Sequence, residues 1–212
     1  MNAHTRPLSL QGPAGALQCA VDEPAASGAS AVPHGLALVC HPHPLHGGTM
    51  DNKVVQTLAR AFVQLGWRAA RFNFRGVGTS QGVWDEGRGE VDDALAVVQG
   101  LRAPAQPLVL AGFSFGAYVA SQLALRLSGA AAVHRLVLVG PAVQNFPVAP
   151  VPQDSLVIHG EVDEIVSLTS VLDWARPQVT PVIVVPGAGH FFHGQLPLLK
   201  SLVLRAGWSA PA

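Results

Sequence analysis

The segment Gly112-Phe113-Ser114-Phe115-Gly116 follows the apolar run Pro107–Ala111 and precedes a helical pattern of small residues, Ala117–Leu127. The order is strand, sharp turn, helix, with a serine at the apex. So tight a turn leaves no room for a side chain at either flanking position, and glycine fits where other residues collide. The turn also pushes the hydroxyl into the open and aims the next N–H at whatever lies in front of it. A serine hydroxyl is a poor nucleophile at neutral pH, so a neutral imidazole must take its proton during attack. The resulting imidazolium needs a carboxylate to orient it and balance its charge. Two later segments, each following an apolar β run, carry such groups. HGEVDEIV (159–166) contains Glu161, Asp163 and Glu164, and GAGHFFHG (187–194) contains His190 and His193.

Taken singly, Asp163 reads equally as a turn or cap residue and His190 as a packed core histidine. Taken together, Ser114, Asp163 and His190 fall in the order nucleophile, acid, histidine, each just past a different strand. They form the candidate catalytic set, with Glu161 the competing acid and His193 the competing base. His193 reads better as the approach to the last helix.

The elements that must position these residues alternate. Leu8–Leu10 and Ala16–Val21 read as a leading hairpin, and residues 23–34, rich in small residues and proline, as a loop. Strands are expected at 35–40, 67–74, 108–113, 135–140, 155–160 and 181–187. Helices are expected at Asn52–Leu65, Glu90–Leu101, Phe115–Leu127, Leu168–Ala175 and Gln195–Arg205. Short apolar β runs alternating with helices predict an α/β fold: a mostly parallel central sheet flanked by helices on both faces. Ligands of such sheets bind beyond the carboxyl ends of the strands, where all the residues singled out lie. The connector 141–154, PAVQNFPVAPVPQD, has four prolines and no helical period. It therefore predicts an open cleft with no lid domain.

With 212 residues, 49% hydrophobic and 12% charged, the chain is expected to form one domain over 1–212 with a good core. Lys+Arg and Asp+Glu each total 13, with no basic stripe, which argues against a nucleic-acid partner. Cys19 and Cys40 cannot build a disulfide framework and read as buried reduced thiols, which predicts a cytoplasmic location. The first seventeen residues have no apolar core of signal-peptide length. Pro107–Leu125 is apolar over nearly a membrane span, but Gly112, Ser114 and Gly116 split it into a buried strand and helix, so no membrane partner is expected. No internal repeat is evident. An edge strand such as PVIVVPG (181–187) could pair between two copies as a homodimer.

Four segments carry a resemblance spanning about residues 8 to 205: HPHPLHGGTMDNKVV (41–55), FNFRGVGTSQG (72–82), GFSFGAYVA (112–120), and HGEVDEIV with GAGHF. They resemble a subfamily of small, lidless carboxylesterases within the α/β-hydrolases. The similarity to dienelactone-hydrolase-like enzymes is more distant, since those use cysteine where this chain has Ser114. The resemblance implies a hydrolase of ester, thioester or amide bonds and implies no particular substrate; the open cleft predicts a small-molecule acyl substrate, and no cofactor is expected.

The negative oxygen formed by attack on a carbonyl needs aimed N–H donors. The backbone N–H of Phe115, directly after the nucleophile, is one. In related enzymes an HGx segment after the 35–40 strand supplies the second from x. Here the segment is His41-Pro42-His43; Pro42 has no N–H, so His43 is the donor by position. Gly47 and Gly48 would lend that loop flexibility.

The same loop reads His-x-His-x-x-His (His41, His43, His46), which could be a metal site, though no second cluster of ligands accompanies it. Arg75, in the turn after the 67–74 strand, could meet a substrate carboxylate. It reads better as an anchor to Asp92 or Asp93. Trp84 and Phe146 are candidates to line an acyl pocket, with Phe113 and Phe115 as candidates equally suited to the core. The leading expectation is a serine esterase working through an acyl-enzyme. A thioesterase, peptidase or acyltransferase would use the same three residues, and a non-catalytic binding protein on the same fold would not need them.

Overall fold

The computed structural model describes residues 5–25 and 33–208. Among the described residues, eight strands form one sheet in the order β1-β2-β4-β3-β5-β6-β7-β8. The hairpin β1 (Arg6–Gly12) and β2 (Gly15–Asp22) is antiparallel, and β2 joins β4 (Arg68–Phe72) antiparallel. From β4 onward every pairing is parallel, through β3 (Leu36–Cys40), β5 (Leu108–Phe113), β6 (Arg135–Val139), β7 (Leu156–Gly160) and β8 (Val182–Val185). The chain leaves β3 toward β4 and then crosses back past β3 to β5. This reversal opens a crevice at the carboxyl ends of β3 and β5.

The strands β3 and β5 are buried at every position, as a sheet covered on both faces requires. One face packs Leu36, Leu38, Leu110 and Leu138 against α2 (Arg88–Leu101), α3 (Phe115–Arg126) and α4 (Leu168–Ala175). The other packs Val39, Val109, Phe113 and Val139 against α1 (Lys53–Gln64) and α5 (Leu196–Arg205). The helix α1 buries Val54, Val55, Leu58, Ala59 and Phe62 at helical spacing. Asn52 starts it by accepting from the Val54 N–H at 2.9 Å.

Several boundaries differ from expectation. The helix α2 begins at Arg88 rather than Glu90, because the buried Glu90 carboxylate reaches back to accept the Gly87 and Asp85 N–H groups at 2.8 and 3.0 Å. Of the loop expected at 23–34, residues 26–32 lie outside the described residues. The connector 141–154 carries turns but no helix, so no lid stands between β6 and β7. Cys19 and Cys40 are free and buried. No described helix is long and apolar enough to cross a membrane.

Candidate active site

The register of the central strands sets the site. Cys40 of β3 lies opposite Gly112 of β5, so the loop after β3 runs beside the turn after β5. Ser114 sits at that turn with φ 56° and ψ −117°, a strained backbone for a residue with a side chain. Two glycines make it possible. A Cβ on Gly112 would collide with the carbonyl of Gly116, and one on Gly116 with the carbonyl of Cys40. The helix α3 thereby starts flush against β3. The Ser114 N–H donates to the Val139 carbonyl at 2.9 Å, which ties the turn to β6.

Asp163 and His190, from the loops after β7 and β8, meet directly: His190 Nδ1 lies 2.7 Å from Asp163 Oδ2. The other carboxylate oxygen accepts the N–H groups of Ile165 and Val166 at 2.9 and 2.8 Å. Burial alone would push this carboxyl upward. The His190 hydrogen bond and the two backbone donors outweigh that and leave Asp163 below the usual carboxylate range, ionised at neutral pH. With Nδ1 donating to a carboxylate, Nε2 of His190 is left as the basic nitrogen. The ring packs on Phe113, centroids 4.8 Å apart.

Ser114 lies where two cavities join. One, of about 350 Å³, is bounded by Gly48, Asn52, His190 and Phe191; the other, of about 430 Å³, by Phe115, Ala142, Asn145, Phe146 and Val166. Ser114, His43, His46 and Ile165 line both. The Ser114 hydroxyl makes no hydrogen bond to another described residue and borders this space.

The loop bearing His43 is pinned by His41. That imidazole is fully buried; Nδ1 lies 2.6 Å from the Pro42 carbonyl, and Nε2 accepts the Phe74 N–H at 3.0 Å. A carbonyl only accepts, so Nδ1 carries the proton and the ring is neutral. Burial, the largest cause, lowers its pKa to about 4, with the Pro42 carbonyl opposing and His43 reinforcing the fall.

Comparisons with known proteins address the family and the fold. Residues 43–157 match the family model described as "Serine aminopeptidase, S33". A lidless α/β serine hydrolase from Xanthomonas campestris superposes with a TM-score of 0.86 at 40% identity, over 97% of this chain and 94% of its own. An α/β serine hydrolase homologue from Coxiella burnetii gives 0.81 at 40% identity, over 94% and 96%. An uncharacterized protein of Rickettsia prowazekii (strain Madrid E) is 38% identical over 173 residues, 74% of this chain and 71% of that one. This chain belongs to the α/β-hydrolases.

On this α/β-hydrolase frame the remaining expected residues can be located. Phe146 lines the larger cavity. Trp84, expected to line an acyl pocket, is not among the residues that line these two cavities. Its indole packs 4.6 Å from the His43 ring and 5.1 Å from Phe115, so it supports the loop. Phe113 stands behind His190, and Phe115 borders the larger cavity. Glu161 is turned away and accepts the Gly187 N–H at 2.8 Å, bridging the turns after β7 and β8. His193 is exposed, its ring centroid 5.8 Å from that of Phe191.

The run His41, His43, His46 does not act as one ligand set. Both nitrogens of His41 are committed to backbone, and His43 Nδ1 accepts the Leu45 N–H at 3.2 Å. Arg75 is an anchor rather than a substrate contact. It clamps Asp93 with Nε at 2.9 Å and Nη2 at 2.8 Å, while Asp92 pairs with Arg126. Asn52, Asn145, Ile165 and Phe191 were not foreseen as lining residues. Two of them carried a usable signal, since Ile165 and Phe191 stand within two positions of Asp163 and His190.

Proposed function

We propose that this α/β-hydrolase is a serine carboxylesterase that cleaves small uncharged esters through an acyl-enzyme. The observation that carries the reading is the 2.7 Å contact between His190 and Asp163 beside a cavity that also exposes Ser114. His190 Nε2 takes the Ser114 proton as Oγ attacks the ester carbonyl. The N–H groups of Phe115 and His43 receive the negative oxygen. Collapse of the tetrahedral adduct breaks the bond to the alkoxy group, which leaves with the proton held by His190. Water then repeats the cycle on the acyl-enzyme and releases the acid.

The leaving oxygen must come within reach of His190, so the alcohol portion belongs in the cavity bounded by His190 and Phe191. The acyl portion then falls to the cavity floored by Phe115, Phe146 and Val166. No Asp, Glu, Lys or Arg side chain is among the residues lining either cavity. An aminopeptidase substrate presents an ammonium close to the scissile bond and calls for a carboxylate to hold it. The neutral lining supports an uncharged ester over such a substrate.

A fluorophosphonate probe tests the nucleophile. It should label the wild type and not Ser114→Ala, and equal labelling of the two would overturn the assignment. Alongside it, p-nitrophenyl esters should be turned over far faster than aminoacyl p-nitroanilides; the reverse preference would move the reading to a peptidase.

A further inference from the structure

The strand β7 carries a histidine that the proposed reaction does not use. His159 is fully buried. Strand alternation puts it on the sheet face that holds Val157, Val166 and Val171, opposite the face of Ile158. Its Nε2 lies 2.9 Å from the Val166 carbonyl oxygen and 3.5 Å from Asp163 Oδ2. Both are acceptors, so Nε2 carries the proton. Nδ1 is then a buried lone pair, and it has no partner among the described residues.

A leucine would fill this apolar place without stranding a polar atom, and burying an unpartnered acceptor is costly. What histidine supplies and leucine cannot is one N–H aimed between Val166 and Asp163. That position closes a ring of contacts. Val166 N–H donates to Asp163 Oδ1 at 2.8 Å, Val166 carbonyl accepts from His159, and His159 also faces Oδ2, the oxygen that meets His190. Val166 holds Oδ1 and is itself anchored by His159, whose N–H stands 3.5 Å from Oδ2, so a swivel of the carboxylate about its Cβ–Cγ bond would disturb this ring.

We infer that His159 is a positioning residue that fixes the rotation of the Asp163 carboxylate, and through it the orientation of His190. The inference rests on the esterase reading. His159 touches no substrate; it acts only through Asp163. Burial holds its ring away from protonation. It therefore stays a neutral donor and does not compete as a cation for the carboxylate that His190 needs.

The test compares His159→Leu with His159→Gln, whose side-chain amide can reach the Val166 carbonyl as Nε2 does. Each is measured for kcat and KM on p-nitrophenyl acetate, for thermal melting, and for the far-downfield proton resonance of His190 Nδ1–H. The expected result for His159→Leu is a folded protein whose kcat falls about 10- to 100-fold, as for a small misplacement of reacting groups, with KM little changed. Its downfield resonance shifts or broadens. His159→Gln recovers most of the kcat and the resonance. Wild-type kcat and an unmoved resonance in His159→Leu would overturn the inference, and so would a Gln variant as impaired as the Leu variant. If His159→Leu does not fold, His159→Gln decides alone: near-wild-type kcat supports the donor role, and a loss of kcat with an intact melt refutes it. Failure of the esterase reading is separately visible, because the wild type itself would then not turn over p-nitrophenyl acetate, or Ser114→Ala would turn it over equally well.

Discussion

Acid should loosen this protein through His41 before it reaches the carboxylates. The folded ring titrates at about 4, against an ordinary value near 6.5 that it regains on unfolding. Between those values the unfolded chain binds a proton that the folded chain refuses, so stability falls as pH falls. The contribution is complete above pH 6.5, declines through the interval, and is fully lost below pH 4. Working the linkage through with these two values gives a loss of about 2 kcal/mol at pH 5 and about 3 kcal/mol at pH 4. The group is fully buried, so solvent screening takes little from this figure. His43 and His159 are also held below the ordinary range by burial and act in the same direction, so the wild-type slope is not due to His41 alone. The clean measurement is a difference. Urea unfolding at pH 7.5, 6.5, 5.5 and 5.0 would be run on the wild type and on His41→Gln, whose amide oxygen can still accept the Phe74 N–H but does not titrate. The variant starts less stable at pH 7.5, and the gap closes by about 2 kcal/mol on reaching pH 5. Parallel curves across that range would show that His41 is not a buried neutral latch.

Other perturbations reach different parts of the machinery. Asp163→Asn removes the charge that, in the proposed reaction, steadies the imidazolium, and allows the wrong His190 tautomer; kcat for an activated ester should fall about 10³- to 10⁴-fold with KM little changed, as read by steady-state kinetics. A fall under tenfold would remove Asp163 from the reaction. Arg75→Ala leaves the fully buried Asp93 carboxylate without its clamp, and urea unfolding should register a loss of about 3–5 kcal/mol. A loss below about 1 kcal/mol would mean that the pair is as dispensable as an exposed one. Phe146→Ala enlarges the proposed acyl cavity, so kcat/KM should shift by about tenfold toward longer acyl chains in a p-nitrophenyl ester series, while preference among acetate esters of different alcohols stays put. A shift in alcohol preference instead would exchange the two cavities.

What could be read from the sequence was what local sterics dictates. Gly112 and Gly116 are glycines because neighbouring carbonyls occupy the space of a Cβ, and that crowding is what bares the serine between them. Asp163 and His190 stand past strand ends that the apolar runs already mark. Partners chosen by tertiary contact were less legible. Arg75 was expected to hold Asp92 or Asp93, and adjacent helix positions differ by about 100° in direction, so only the packed phase of α2 decides. It turns Asp93 inward beside Glu90 and Ala94 and leaves Asp92 half-exposed to Arg126. Trp84 was ambiguous for a related reason: an aromatic in a loop buries equally well against substrate or against a neighbouring ring, and here it meets the His43 ring. His159 gave no signal, because a histidine inside an apolar strand looks like any satisfied core residue until the loop after it folds back. Only then do Val166 and Asp163, seven and four residues downstream, arrive on the same nitrogen. The proposed nucleophile is thus specified by its own backbone, whereas the proposed acid is held in place by contacts that exist only once β7, its loop and β8 have come together.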